Sequence, residues 1–144
     1  MMTLKRIQKE DLPALAALER AVFHVPWSEK ALELLCGDTA FGFACMEGGI
    51  AAAYGGMLTV LDEGQITDIA TAPDYRRRGL AATVMNALLT EARVRGLATV
   101  TLEVRESNRA AIALYEKFGF SVQGRRTRFY KNPSEDAFIM GLTL

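Results

Sequence analysis

The sequence predicts one mixed α/β domain, residues 1–144, whose elements run β-α-α-β-β-β-α-β-α-β-β. Three observations carry that prediction. At 144 residues, half of them hydrophobic, the chain fits one domain around one continuous core. An apolar run from Ile66 to Ala72 stops at Pro73-Asp74, crosses three arginines and a glycine, and becomes a helical pattern, which reads as strand, turn, helix. Elsewhere period-two and period-3.6 runs alternate, and two strand-like runs at the end complete a sheet with an antiparallel edge.

In chain order, Thr3 to Ile7 is a short first strand. Asp11 is placed to cap a helix whose Pro13 is tolerated in the first turn, and Leu12, Leu15, Leu18 and Val22 share one side of it. Ser28 caps a second helix through Leu35; Trp27 before it is a packing anchor, with a substrate-facing role as the alternative. Phe41 to Met46 and Ile50 to Leu61 form a hairpin at Glu47-Gly48-Gly49, and Gly55-Gly56 signals a bulge or a close backbone approach. Asp62-Glu63 is either a solvated turn or an attractor of positively charged substrate.

The helix beginning near Gly79 aligns Leu80, Val84, Leu88 and Ala92, and Gly96 ends it; Glu91 fits that stripe poorly. Thr99 to Val104 alternates, with Val100, Leu102 and Val104 on one face and Glu103 on the other. Ser107 or Asn108 caps a helix that buries Ala111, Leu114 and Phe118, leaves Asn108, Ile112 and Tyr115 on the boundary, and stops at Gly119. Ser121 to Tyr130 and Ala137 to Leu142 are the closing strands around the polar loop Lys131 to Asp136.

Composition removes several functions. Seventeen basic residues balance seventeen acidic ones, so no net field draws the chain to nucleic acid or to a membrane surface. No apolar run reaches the ~18 residues of a membrane span. Cys36 and Cys45 form no disulfide framework and no secretory leader is evident, which fits a reducing cytoplasm; both cysteines read as small buried residues. His24 is the sole histidine and has no Cys or His cluster beside it, so no metal site is expected. Nothing in the sequence specifies an oligomeric state.

The chemistry concentrates at the strand-turn-helix. A helix starting near Gly79 leaves its first N–H groups unpartnered at the positive end of its dipole, and Gly79 and Ala81 let a large anion come close to the backbone. Arg76, Arg77 and Arg78 add forked donors for phosphate oxygens, although a solvated basic turn would look the same. Glu103, near a strand end, is either an exposed acid paired with Arg105 or a general base working through water. Tyr115 is either a half-buried phenol bonded to backbone or a proton donor at the mouth of a groove it shares with Asn108. Arg125, Arg126 and Arg128 read as a solvated strand surface, with phosphate or RNA contact as the alternative.

The pattern Arg76-x-x-Gly79-x-Ala81 after a strand resembles the pyrophosphate signature of the GNAT superfamily of N-acetyltransferases. Pro26-Trp27-Ser28, Val60-Leu61-Asp62-Glu63, Leu102-Glu103-Val104-Arg105 and Ser107-Asn108 through Tyr115-Glu116 extend the likeness over nearly the whole chain, toward the members that acetylate the N-terminal alanine of a ribosomal protein. That resemblance implies a twisted, mixed but mostly antiparallel sheet with helices on both faces, and acetyl-CoA as co-substrate without a metal. It implies that Ile69, Ala70 and Thr71 hold the acetyl-pantetheine arm through strand backbone. Arg76, Arg77, Arg78, Gly79, Leu80, Ala81 and Ala82 would receive the diphosphate, and Asn108 would bond to the cofactor. Glu103 matches the proton acceptor and Tyr115 the proton donor. The acceptor it implies is the N-terminus of a ribosomal protein; other protein N-termini, lysine or a small amine remain alternatives, as does a non-catalytic acetyl-CoA-binding module.

Overall fold

The computed structural model describes residues 1–144. Strands β1 (Met2–Arg6), β2 (Ala40–Glu47), β3 (Ile50–Val60), β4 (Glu63–Thr71), β5 (Thr99–Arg105), β6 (Ser121–Tyr130) and β7 (Glu135–Thr143) form one sheet in the order β1-β2-β3-β4-β5-β7-β6. Every neighbouring pair is antiparallel except β4 with β5. Helices α1 (Leu12–Val22), α2 (Glu29–Leu32), α3 (Leu80–Val94) and α4 (Arg109–Lys117) complete the element order expected from the sequence.

The helices cover both faces. On one side Val84, Met85, Leu88, Leu89 and Ala92 of α3 pack with Tyr115 of α4 against Val100, Leu102 and Val104. On the other, Leu12, Leu15 and Leu18 of α1 pack with Leu32, Leu35, Tyr54 and Ala70. Each fully buried side chain of this size contributes roughly 1.5–3 kcal/mol, so four on α3 alone fix where that helix begins. The stripe expected for α3 is the one buried, while Thr83, Asn86, Thr90 and Arg93 face solvent. Glu91, which the stripe left without a place, is half-buried and paired with Arg95 at 2.8 Å and Arg6 at 4.0 Å.

Gly55-Gly56 marks both things the sequence offered. Thr67 and Asp68 stand opposite the single Gly56, because Gly55 pairs with Ile69 and Met57 with Ile66. The extra residue reverses the inside-outside alternation of β4, so Ile66 faces the α3 core and Ala70 the α1 core. A Cβ on Gly56 would lie 2.6 Å from Thr67 Oγ1, and one on Gly55 2.8 Å from Val84, so the close packing needs both glycines.

Three local expectations are corrected. Asp11 does not cap α1: its carboxylate accepts from the Gln8 N–H at 2.8 Å and pairs with Lys5 at 3.0 Å, closing the turn before the helix. Ser28 does cap α2, accepting from Ala31 N–H at 3.0 Å, but the helix tightens to a 3-10 turn after Leu32. Leu32 and Leu35 take the inward positions of that turn, which leaves Cys36 exposed; Cys45 is buried as expected.

Candidate active site

The parallel pair β4–β5 holds for three residues only, from Glu63↔Thr99 to Gln65↔Thr101. Beyond Gln65 the two strands part. β4 stays paired with β3 as far as Thr71 and β5 with β7 as far as Arg105, so the facing edges of both strands have no strand partner. Edge N–H and C=O groups in such a cleft call for another partner of extended shape. Ile69, Ala70 and Thr71 lie on that free edge of β4.

Past Thr71 the chain turns through Pro73–Tyr75 and reaches Gly79 in the left-handed region at φ 73°. A Cβ there would meet nothing within 4 Å, so the glycine is required by conformation and not by crowding. The first intrahelical bond of α3 runs from Thr83 N–H to Gly79 C=O, and no side chain caps the end. The N–H groups of Leu80, Ala81 and Ala82 therefore point out of the helix start with no intrahelical acceptor. Arg76, Arg77 and Arg78 are exposed and join no ion pair; Arg78 stacks over the Tyr75 ring at 5.0 Å. Unpaired amides, a helix dipole and three uncompensated guanidinium groups fit a diphosphate.

Where β4 and β5 part there is a cavity of about 650 Å³. Four segments wall it: Phe23, His24 and Trp27 after α1; Ile66 to Ile69 of β4; Leu102 to Arg105 of β5 with Asn108 and Tyr115; and Phe129 to Lys131 at the end of β6. The structure thus brings Glu103, Tyr115 and Asn108 to one cavity. Asn108 caps α4 through Oδ1, which accepts from Ala111 N–H at 3.2 Å and leaves its amide NH₂ free to donate. Trp27 packs on the α1 core, as a packing anchor would, and also lines the cavity. Asp62 and Glu63 lie at the opposite end of β4; Glu63 accepts from Thr101 Oγ1 at 3.2 Å. A groove of about 560 Å³ on the far flank of α3, lined by Thr83, Asn86 and Thr90, reaches neither Glu103 nor Tyr115.

Glu103 is not the partner of Arg105. Its side chain, 32% exposed, lies 3.7 Å from Arg126 on the open face of β6, while Arg105 turns to Glu135 at 3.3 Å. Tyr115 is more enclosed than its boundary position implied. It is 8% exposed, set against Phe120, and burial pushes its phenol well above the usual range, with the nearby Tyr130 and Asp68 adding to the shift. Its hydroxyl therefore keeps its proton at neutral pH.

Behind β4 lies a feature the sequence did not disclose. Glu19 of α1 is fully buried, accepts from Tyr54 Oη at 2.5 Å and from Trp27 N–H at 2.8 Å, and shares a hydrogen bond with Asp68. Burial first, and then Glu19, push the Asp68 carboxyl up to about 8. The raised value favours the neutral form of Asp68 near pH 7. The pair ties the α1–α2 wall of the cavity to the bulge of β4. A helix glutamate and a strand aspartate far apart in the chain give no local pattern by which to find it.

Residues 12–120 match the model of the acetyltransferase (GNAT) family. Over 146 aligned residues the chain is 40% identical to the [ribosomal protein bS18]-alanine N-acetyltransferase of Escherichia coli K12, covering 100% of this chain and 99% of that one. It is 33% identical to the putative enzyme of the same name from Bacillus subtilis, over 98% of this chain and 95% of the other. The crystal structure of the ribosomal-protein-S18-alanine N-acetyltransferase from Escherichia coli superimposes with a TM-score of 0.90 at 40% identity, over 99% of this chain and 94% of that one. With the parted strands and the open helix corner, these likenesses establish that the chain belongs to the GNAT family and is an acetyl-CoA-dependent N-acetyltransferase.

Proposed function

We propose that residues 1–144 act as one domain that acetylates the N-terminal alanine of a ribosomal protein, with Glu103 as base and Tyr115 as acid. The observation that carries this reading is the convergence of Glu103 and Tyr115 on one cavity, at the point where β4 loses its β5 partner. The acceptor follows from the relatives, which are named for ribosomal protein bS18, and such an acceptor puts the reaction in the cytoplasm.

Acetyl-CoA supplies the acetyl group as a thioester. The N–H groups after Gly79 and the arginines Arg76, Arg77 and Arg78 would hold its diphosphate, the free edge of Ile69, Ala70 and Thr71 its pantetheine arm, and the Asn108 amide a further acceptor on it. Glu103, through a water, takes a proton from the α-ammonium nitrogen of the acceptor; the amine so formed is the nucleophile. The amine nitrogen attacks the thioester carbonyl carbon, the C–S bond breaks as the C–N bond is kept, and Tyr115 Oη, held neutral by burial, gives its proton to the departing sulfur. The second proton that the nitrogen sheds on becoming an amide leaves through water and restores the Tyr115 phenol. An α-amino group starts from a pKa of roughly 7.7–8.0 and a lysine from about 10.4, so a single carboxylate suffices for the former.

The test is to incubate the protein with acetyl-CoA and a panel of Ala-starting ribosomal peptides, lysine peptides and small amines, and to locate the acetyl group by mass spectrometry. Transfer to an N-terminal alanine is expected. Transfer only to lysine or to a small amine overturns the acceptor and leaves the fold and co-substrate intact.

A further inference from the structure

We propose that Arg105 is a positioning residue that latches the β6–β7 loop onto the end of β5 and so sets the acceptor wall of the cavity. The proposal rests on the acceptor reading above, because it assigns that wall to the incoming peptide.

The β6–β7 ladder is broken where it meets the cavity. Arg126 pairs with Ala137 and Tyr130 with Glu135, so the three residues between on β6 face only Asp136, and Arg128 takes a positive φ of 53°. Of the residues that line the cavity, Phe129 lies within this interruption and Tyr130 and Lys131 follow it. Few ladder bonds hold them. Arg105 takes over that task with a fork: Nη1 donates to Pro133 C=O at 3.0 Å and to Glu135 at 3.3 Å, and Nη2 donates to Lys131 C=O at 3.1 Å. Its guanidinium also lies 4.4 Å from the centre of the Tyr130 ring. Glu135 in turn accepts from the Ser107 N–H at 2.6 Å, which joins the same knot to the start of α4.

The strand that carries Glu103 therefore also carries, two residues on, the group that fixes the opposite wall. A planar fork reaches two carbonyls and a carboxylate together, which the single ammonium of a lysine does not. Loss of the fork should loosen the wall against the peptide and leave the corner at Gly79 untouched. Weaker binding that is equal in ground and transition states raises KM and spares kcat.

Arg105→Lys and Arg105→Gln test this. Both are expected to raise the KM for an alanine-starting peptide roughly tenfold, with kcat held within about twofold, and to leave the acetyl-CoA Kd from calorimetry unchanged. Hydrogen exchange of amides 129–136 should quicken in both. Restoration of the wild-type KM by lysine overturns the fork. Unchanged exchange overturns the latch, and loss of acetyl-CoA binding in both variants overturns it too, since Arg105 would then serve general stability. If the wild-type protein leaves the alanine peptide unmodified, the acceptor assignment fails instead, and the exchange of amides 129–136 still decides the latch.

Discussion

The corner at Arg76–Ala82 and the cavity around Glu103 and Tyr115 both open off β4, but they are built in opposite ways. The corner is one contiguous stretch, exposed, with three unpaired arginines and backbone N–H groups as its donors. The cavity is assembled from four separate segments, and its polar groups are enclosed or already engaged: Tyr115 in the core, Glu103 near Arg126, Arg105 in the loop knot, Asp68 with Glu19. A binding surface made of backbone and redundant charge spreads its affinity over many groups. A proton-transfer site depends on single side chains.

That contrast breaks most sharply at the cavity. Glu103→Gln and Tyr115→Phe should each lower kcat about a hundredfold or more while leaving acetyl-CoA affinity within a few-fold, as steady-state kinetics and calorimetry together would show. Weakened acetyl-CoA binding with normal turnover would merge the two regions. Next in size is Glu19→Ala, which leaves the buried Tyr54 hydroxyl without its acceptor and takes the partner from the Trp27 N–H and from Asp68; urea unfolding should report a loss of roughly 2–4 kcal/mol.

At the corner, Gly79→Val forces a branched side chain into the left-handed region with no contact to relieve or worsen it, at a cost of roughly 1–2 kcal/mol. Acetyl-CoA should then bind about tenfold more weakly at an unchanged kcat. The last effect is a dependence on pH and belongs to Asp68. Its folded pKa is raised above the unfolded value near 3.8, so its contribution to stability is complete below that value and fades as pH rises toward about 8. Asp68→Asn keeps a neutral donor facing Glu19 but cannot ionise. The melting temperature of the variant should therefore gain on the wild type by roughly 3 °C or more between pH 5 and pH 8. Parallel melting curves for the two proteins would show instead that Asp68 does not ionise in that range.

The same contrast explains what could be read before the structure. Arg76, Gly79 and Ala81 are neighbours in sequence as in space, so strand, turn and helix start were legible together, as were the glycine stop at Gly96 and the Gly55-Gly56 bulge. The free edge of β4 was not, because it depends on where β5 lies. Glu103 and Tyr115 were visible as ambiguous residues, and the choice of Arg105 as the partner of Glu103 failed because a strand places residues i and i+2 on one face without making them meet. Arg126 reaches Glu103 from another strand, and Arg105 is drawn away by loop carbonyls. Asp11 capped the wrong turn because an Asx side chain can satisfy the N–H three residues before it as well as those after it. The Glu19–Asp68 pair joins a helix and a strand that no local pattern connects.

If donor grip and proton transfer are separate tasks, their losses must multiply. The most direct measurement is kcat/KM for Gly79→Val, for Tyr115→Phe and for the two combined, with acetyl-CoA varied at a fixed, saturating alanine peptide. Independence predicts that the double variant falls by the product of the two single losses, within about twofold. A double variant no worse than Tyr115→Phe alone would show that the corner and the cavity act as one coupled unit, and would contradict the division drawn between them.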